Sequence, residues 1–250
     1  MVNGCLLPTV ISLVVSWCAP SDSDPHILVR KAFEAQCGMK DATRIRPFQF
    51  KMTGTANVKE TAIKFTVDSI AVWPDRSRRE TRVEVNGRSE SYSYLLNGSE
   101  SWITYPDRVE ELKDEALRDN QEGTYREQII TLQPLIVRRT EFVLRLIDPI
   151  EIDGKPALGV RVVSPGHKDI DLYFDKADML LRKVETQAWD FENNKDVSFI
   201  TYFSDYTESN GRKVPKKAIQ YKNGAKVAEA EVVGWRFLEK VDDRLFERAK

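Results

Sequence analysis

The stretch RRETRVEVNGRSESYSYLLNGSESWITY, residues 78–105, contains two Asn-Gly pairs between segments that favour extended backbone. Asn-Gly tolerates the positive φ angles of a tight hairpin turn, so both pairs predict a reversal between antiparallel strands. Similar turn signals recur along the chain, and together they are Asn86-Gly87, Asn97-Gly98, Asp153-Gly154, Pro165-Gly166, Asn210-Gly211 and Asn223-Gly224. With strands of about 6 to 10 residues between turns, the pattern predicts an antiparallel meander.

Upstream of this stretch, apolar residues recur at every second position. In PFQFKMTG, residues 47–54, three apolar side chains alternate with polar ones. In TAIKFTVDSIAVW, residues 61–73, one face carries Ile63, Phe65, Val67, Ala71 and Trp73. A period of two places these residues on one side of a sheet.

The later strands carry apolar residues on both faces. They read EFVLRLID (141–148), ALGVRVVS (157–164) and EAEVVGWRF (229–237). A simple sheet with one wet face alternates more cleanly. We therefore expect a strongly curved sheet that covers its convex side modestly and lines an apolar hollow with its concave side.

A helical insertion interrupts the strands at residues 108–139, RVEELKDEALRDNQEGTYREQIITLQPLIVRR. It begins highly charged and then concentrates apolar residues at Tyr125, Ile129, Ile130, Leu132, Leu135, Ile136 and Val137. Pro134 cannot donate a backbone hydrogen bond, so a helix here must kink or restart. The segment predicts two short helices that cover the hollow.

One further helix is predicted near the start of the chain, over Pro25–Gly38. Asp24 is a suitable cap and Pro25 suits the first helical position.

The first residues resemble an export signal. From Cys5 to Trp17 the chain is uncharged and mostly apolar, which is too short to span a bilayer and fits a secretory leader. We expect a signal peptide over 1–21, one domain over 22–250, and a location in the periplasm or membrane-associated envelope. An alternative is lipid modification of Cys18, although Trp17 precedes it where a small residue is expected. Membrane association would then be through the lipid anchor instead of peripheral.

Composition and motifs exclude several classes of function. The 250-residue chain has a formal net charge of -1, which gives no nucleic-acid surface. The basic run at Arg76, Arg78, Arg79 and Arg82 alternates with acids and predicts a solvated strand face. His26 and His167 lack partners at zinc-ligand spacing, and neither a nucleophile elbow nor a phosphate or dinucleotide loop is present. We expect no metal, no cofactor and no catalytic residue.

The acidic stretch DIDLYFDKADMLLRKVE, residues 169–185, raises the question of a cation site. Its aspartates share one strand face, while Ile170, Leu172 and Phe174 share the other. The spacing does not fit a calcium loop, because Tyr173 and Phe174 replace a ligand and the glycine. The favoured interpretation is a strand and turn whose aspartates face water; an opportunistic cation site is the alternative.

The order of these features resembles the LolA/LolB-type family of outer-membrane lipoprotein-sorting proteins. After a leader and one helix come VWPDRSRRE (72–80) and LNGSESWITY (96–105). The inserted helices follow, and then IDGKPALGVRVVSPGHKDIDLYFDKADMLLRKVE (152–185). The closing strands, residues 203–246, resemble those of relatives with large hairpins. The resemblance covers essentially residues 25–248.

That resemblance implies a mainly β fold with α (α+β). A strongly curved antiparallel sheet forms an unclosed half-barrel, with helices as a lid on the concave face that holds acyl chains. It implies Phe65, Trp73 and Trp102 in the hollow, and Ile129, Leu132, Leu135 and Ile136 in the lid. One departure is that the carriers place an arginine before the proline of the early strand, where this chain has Trp73 before Pro74.

The leading interpretation is a noncatalytic envelope protein that binds lipid or lipoprotein acyl chains, as a sorting carrier does. The alternative is a sensor of the same fold that detects lipid or lipoprotein and reports to an envelope protein partner. A remote alternative is a carboxylate-dependent envelope hydrolase, which would need two facing acids.

Overall fold

The computed structural model describes residues 24–38, 43–58, 61–85, 87–209 and 211–248. In this part of the chain, the strands of the first half are β1 (Phe48–Val58), β2 (Thr61–Val72), β3 (Arg76–Val85), β4 (Arg88–Asn97), β5 (Glu100–Thr104) and β6 (Val109–Glu111). Those of the second half are β7 (Val143–Ile152), β8 (Lys155–Val163), β9 (Ile170–Asp175), β10 (Leu181–Asp190), β11 (Lys195–Ser209), β12 (Arg212–Lys222) and β13 (Ala225–Phe237). The helices are α1 (Pro25–Cys37), α2 (Asp114–Ile129) and α3 (Gln133–Val137), with 3-10 turns at Arg139–Glu141 and Asp243–Phe246.

These strands form one antiparallel sheet that does not close. The order across it is β6-β5-β4-β3-β2-β1-β13-β12-β11-β10-β9-β8-β7. The first strand, β1, therefore lies at the centre of the sheet, and β2 to β6 follow outward to one edge. The chain then crosses to β7 at the opposite edge, and β8 to β13 return to the centre, where β13 pairs with β1. The crossing segment carries α2 and α3 over the concave side. The predicted curved, unclosed sheet with helices on its concave face is confirmed.

The predicted turns that lie wholly within the described residues connect strands as expected, whereas Asn86 and Asn210 lie outside those residues. Asp153 and Gly154 have φ of 51° and 74°, and Asn223 and Gly224 have 48° and 80°, which are the left-handed values of two-residue hairpins. The three-residue strand β6 was not predicted, because its sequence, Val-Glu-Glu, is too short and charged to show a period.

A close approach between β1 and β13 bends the centre of the sheet. A Cβ atom at Gly54 would lie only 2.2 Å from the carbonyl oxygen of Glu229, so a larger residue would push the strands apart. The pairing also shifts register between Lys51 and Met52, as at a β-bulge. Bulges and glycines of this kind increase local curvature.

The helices begin where the sequence predicts. Asp24 accepts a hydrogen bond of 2.8 Å from the backbone amide of His26, and α1 ends at Cys37, one residue before the predicted limit. Between α2 and α3, Leu132 adopts a left-handed conformation with φ of 60°. Pro134 then lies in the first turn of α3, where its missing N–H costs nothing.

The main core lies between the concave face of β7–β12 and the helices. Its fully buried side chains include Val29 and Phe33 from α1 and Ile129 from α2. From the strand 170–175, Ile170, Leu172 and Phe174 are at most 1% exposed, which confirms that they face inward.

The prediction that the neighbouring aspartates face water is wrong for Asp175. This residue is 5% exposed, and its carboxylate accepts the backbone N–H of Ala177 at 2.8 Å. Asp171 accepts two hydrogen bonds of 2.7 Å from Arg161 and is only 13% exposed in its side chain. Both acids organise structure, so substitutions at them carry a cost.

The predicted signal peptide, residues 1–21, and Cys18 lie outside the described residues. Among the helices that the structure does describe, none is long and apolar enough to cross a membrane.

Candidate functional site

Helix α2 contacts the strands β2–β5 through polar side chains. The hydroxyls of Ser77 and Thr124 lie 2.7 Å apart, and both residues are buried. Asn120 donates a hydrogen bond of 2.8 Å to the hydroxyl of Ser101, which is also buried. Because serine and threonine hydroxyls pair equally well with water, this side of α2 can separate from the sheet without leaving an unpaired group.

One ion pair strengthens the same side. Arg79 of β3 donates to Glu127 of α2, and their side chains are 24% and 14% exposed. Glu127 also accepts a hydrogen bond of 3.2 Å from Ser69 of β2. The prediction that the whole arginine run faces water is therefore wrong for Arg79, which points under the helix. Glu127 thereby ties α2 to two strands at once.

The other side of α2 is apolar and continues into α3. The predicted lid residues Ile129, Leu132 and Leu135 are 0%, 0% and 2% exposed, and Ile136 packs against the same cluster. Tyr125 stacks on His167 of the β8–β9 connection, with ring centroids 3.8 Å apart. This side of α2 is held mainly by apolar packing, and hydrogen bonds of Glu122 and Asp119 to the β8–β9 connection and to β10 add to it.

Glu122 of α2 lies beside the stacked rings of Tyr125 and His167. Its carboxylate lies 3.1 Å from Nδ1 of His167 and accepts the backbone N–H of Lys168 at 3.1 Å. Burial raises the pKa of Tyr125, which stacks on His167, to about 12.

A cavity of about 70 Å³ lies between α2 and the centre of the sheet. Its lining is mostly apolar, with polar atoms from a few side chains. The residues are Phe50, Met52, Arg126, Glu127, Ile130, Val184, Thr201, Phe203, Ala218, Gln220, Val232 and Trp235. The floor of the cavity is formed by β1, β13, β12, β11 and β10. Helix α2 and the following Ile130 cover it from above.

The residues predicted for the hollow are not all brought together. Trp73 lies under the helices, with its ring centroid 6.4 Å from that of Tyr125 and 6.0 Å from that of Phe142. Phe65 pairs with Gly54 on the concave face but does not line the cavity. Trp102 lies on the opposite face, packed with Leu95 and Phe246 in a separate cluster.

Several cavity residues were missed. Arg126 and Glu127 precede the apolar run of the insertion and have the pattern of an ordinary charged helix face. Trp235 lies in a strand that is apolar on both faces, so alternation alone did not assign its side. Phe50 and Met52 were predicted to share a face, and that signal could have placed them in the hollow.

A larger cavity of about 760 Å³ lies on the other face of the sheet. Ile200, Tyr202 and Tyr221 line it, and Ile200 and Tyr202 lie on either side of the inward-facing Thr201 in β11. Phe203 borders both cavities. Neither α2 nor α3 contributes to its lining. Of these two cavities, the smaller one is therefore the one that a helix covers.

The acidic stretch forms a turn. Asp178 accepts the backbone N–H of Leu180 at 2.9 Å and a side-chain hydrogen bond of 2.5 Å from Arg182. In the described ranges, no group of three or more His, Cys, Asp or Glu side chains is placed to hold a metal ion.

Solved structures share this fold. A LolA superfamily protein from Nitrosomonas europaea matches with a TM-score of 0.56 at 12% identity, over 90% of this chain and 97% of that chain. A domain assigned to outer membrane lipoprotein sorting, from Vibrio parahaemolyticus, gives 0.53 at 12% identity over 89% and 95%. A DUF1329 family protein from Desulfovibrio piger gives 0.55 at 12% identity over 90% and 98%. No protein-family model matches the chain, and no curated protein matches its sequence. The chain thus has the LolA-like fold.

Proposed function

We propose that this protein binds the acyl chains of lipids or lipoproteins, without catalysis, in the concave hollow of its sheet in a bacterial envelope. The observation that carries the proposal is the arrangement of α2. This helix covers an apolar cavity on the concave face, with polar contacts along one side and mainly apolar contacts along the other.

The size of the cavity requires α2 to move. Small-molecule pockets usually measure roughly 300–1,000 Å³, and this cavity measures about 70 Å³. Displacing α2 from β2–β5 would enlarge it, since Ser77, Thr124 and Asn120 can exchange their partners for water. The apolar contacts of Ile129 and Leu132 would hold the other side of the helix in place.

Three further observations support the proposal. The fold is shared with a domain assigned to outer membrane lipoprotein sorting. The sequence begins with an uncharged apolar run of the kind found in secretory leaders. At the cavity, the carboxylate Glu127 is held by Arg79 and Ser69, which suits a structural role better than proton transfer.

A reversible lock on α2 tests the proposal. The hydroxyls of Ser77 and Thr124 face each other at 2.7 Å, so cysteines at these positions can form a disulfide. We expect S77C/T124C to bind a fluorescent fatty acid about tenfold or more weakly when oxidised and to recover on reduction. Each single cysteine variant, treated with the same reagents, is the control.

Lipid that co-purifies with the wild-type protein provides the second measurement. Mass spectrometry of a denatured sample should detect acyl chains at a substantial fraction of the protein concentration. A protein that carries no lipid and binds no fluorescent fatty acid would disprove the proposal. Equal binding by the oxidised and reduced double variant would disprove the role of α2 as a lid.

A further inference from the structure

Arg126 lines the cavity and differs from the rest of its lining. Its guanidinium group lies over the ring of Phe199, 4.6 Å from the centroid. Within the described residues, no carboxylate oxygen comes within 4.0 Å of its side-chain nitrogens. An aromatic face interacts with a cation but does not neutralise it.

The carboxylates nearest to Arg126 have other partners. Glu127 binds Arg79, and Glu122 binds the backbone amide of Lys168. Asp119 accepts the backbone N–H of Trp189 at 3.2 Å. Each acid is thus already used in holding α2 in place.

In the described part of the chain, the guanidinium group of Arg126 is buried without an ion pair. Burial lowers the pKa of Arg126 and Arg79 adds to that effect, while Glu127, Asp119 and Glu122 oppose it from beyond ion-pair distance. An arginine remains protonated at neutral pH even with a lowered pKa. Glu127 forms its ion pair with Arg79, so the charged Arg126 lines the cavity without a direct carboxylate partner among the described residues.

The remainder of the cavity is suited to a hydrocarbon chain. Phe50, Met52, Ile130, Val232 and Trp235 supply apolar surface around it. The uncharged polar groups of the lining are the Thr201 hydroxyl and the Gln220 amide. They can form hydrogen bonds with a polar ligand group but cannot balance a charge. A hollow for acyl chains alone does not require an arginine, because burying a charge is unfavourable.

We propose that the ligand of this cavity is an amphiphile with an anionic head, whose carboxylate or phosphate oxygens bind Arg126 while its chain enters the apolar part. This inference rests on the proposed function and adds the charge of the ligand to it. The planar guanidinium offers paired N–H donors that match either oxyanion, and a direct ion pair would offset the cost of burying its charge.

Matched ligands of equal chain length test this inference on the purified protein. Palmitate and methyl palmitate differ only in the charge of the head, and palmitoyl lysophosphatidate carries a phosphate in place of the carboxylate. We expect the wild type to bind at least one of the two anions about tenfold or more tightly than the ester. Which anion shows the larger preference identifies the head group.

Variants of Arg126 then assign the preference to this side chain. R126Q should lose the preference for the anion and bind methyl palmitate within about twofold of the wild type. R126K keeps the charge without the planar fork and should retain part of it. R118Q, on the exposed face of α2, removes the same net charge and should change nothing. Urea midpoints establish that each variant is folded.

The outcomes separate the two proposals. Equal affinity of the wild type for anion and ester, or a preference that survives in R126Q, overturns the anionic ligand and leaves the acyl-chain proposal intact. Failure of the wild type to bind any of the three ligands overturns both proposals. Equal loss of anion and ester binding in a folded R126Q shows a structural role for Arg126 and overturns this inference.

Discussion

The two halves of the sheet hold α2 by different chemistry. On the β2–β5 side the contacts are buried hydroxyls, one amide and the Arg79–Glu127 ion pair. On the β7–β12 side the helices share one apolar core, in which Ile129 and Phe174 are fully buried, and Glu122 and Asp119 add hydrogen bonds at its edge. Water can replace the first kind of contact but not the second, because apolar surface loses stability in proportion to the area exposed. We therefore expect α2 to separate from the β2–β5 half of the sheet more readily than from the β7–β12 half.

Two features of α2 lower its intrinsic stability as a helix. Lys113 occupies the capping position and makes no side-chain cap hydrogen bond. Gly123 lies in the middle of the helix, where glycine costs about 0.5–1 kcal/mol relative to alanine.

The largest expected effect is in the apolar half. We expect Phe174→Ala to destabilise the protein by about 3–5 kcal/mol, because it leaves a cavity in a fully buried site. Ser77→Ala in the polar half should cost only about 1 kcal/mol, the worth of one hydrogen bond. Urea unfolding with unchanged slopes measures both values. Similar losses in the two variants would refute the proposed asymmetry.

The ion pair should show the next largest effect. Arg79→Gln or Glu127→Gln should each destabilise by about 1–3 kcal/mol, less than a fully buried pair because both side chains keep some water. The double variant should lose less than the sum, since the two residues interact.

Hydrogen exchange locates the effect of that pair. The amides of α2 should exchange faster in both single variants, whereas those of β9 should stay protected. Arg30→Gln, which removes an exposed pair with Glu34 on α1, should cost no more than about 0.5 kcal/mol. Uniformly faster exchange over the whole chain would argue against local release of α2.

A pH titration tests whether the apolar side of α2 is dry. Burial raises the pKa of Tyr125 to about 12, above the value near 10 of an unfolded chain. Its contribution to stability is therefore complete below pH 10 and is lost as the pH rises toward 12. Relative to Tyr125→Phe, the wild type should lose about 1.4 kcal/mol at pH 11. Parallel stability curves for the two proteins between pH 9 and pH 12 would mean that Tyr125 is hydrated.

The smallest effect is expected at Trp102. Because this side chain lies on the convex face against Phe246, Trp102→Phe should leave acyl-chain affinity within about twofold of the wild type. Trp235→Phe, at the cavity, should weaken it by more. Displacement of a fluorescent fatty acid measures both, and the reverse order would return Trp102 to the binding site.

The general architecture could be predicted from local signals. Hairpin pairs such as Asp153-Gly154 and the break at Pro134 depend on backbone preferences of adjacent residues, and these are visible in any sequence. The inward position of Phe174 followed from a period of two.

The site required information from distant residues. Alternation along β3 separates Arg79 from Arg76, Arg78 and Arg82, but the position of Glu127 is needed to show that the Arg79 face is the inward one. Trp102 and Ile103 are adjacent apolar residues on opposite faces, so the covering of the convex face by Phe246 decides where Trp102 packs. The covering groups come from distant parts of the chain and cannot be identified within a short window of sequence.

The pairing of β1 with β13 has a consequence for how the chain folds during synthesis. Phe48 pairs with Phe237, so the first strand of the sheet finds its second neighbour only after nearly the entire chain has been made. Closing so long a loop is slow, and an unpaired strand is open to aggregation in the meantime. We expect β1 and β2 to form a hairpin early, and the other edge of β1 to stay unpaired until β13 has been synthesised. Loss of β13 would therefore remove the strand that joins the two halves of the sheet, whereas loss of an edge strand would only make the sheet narrower.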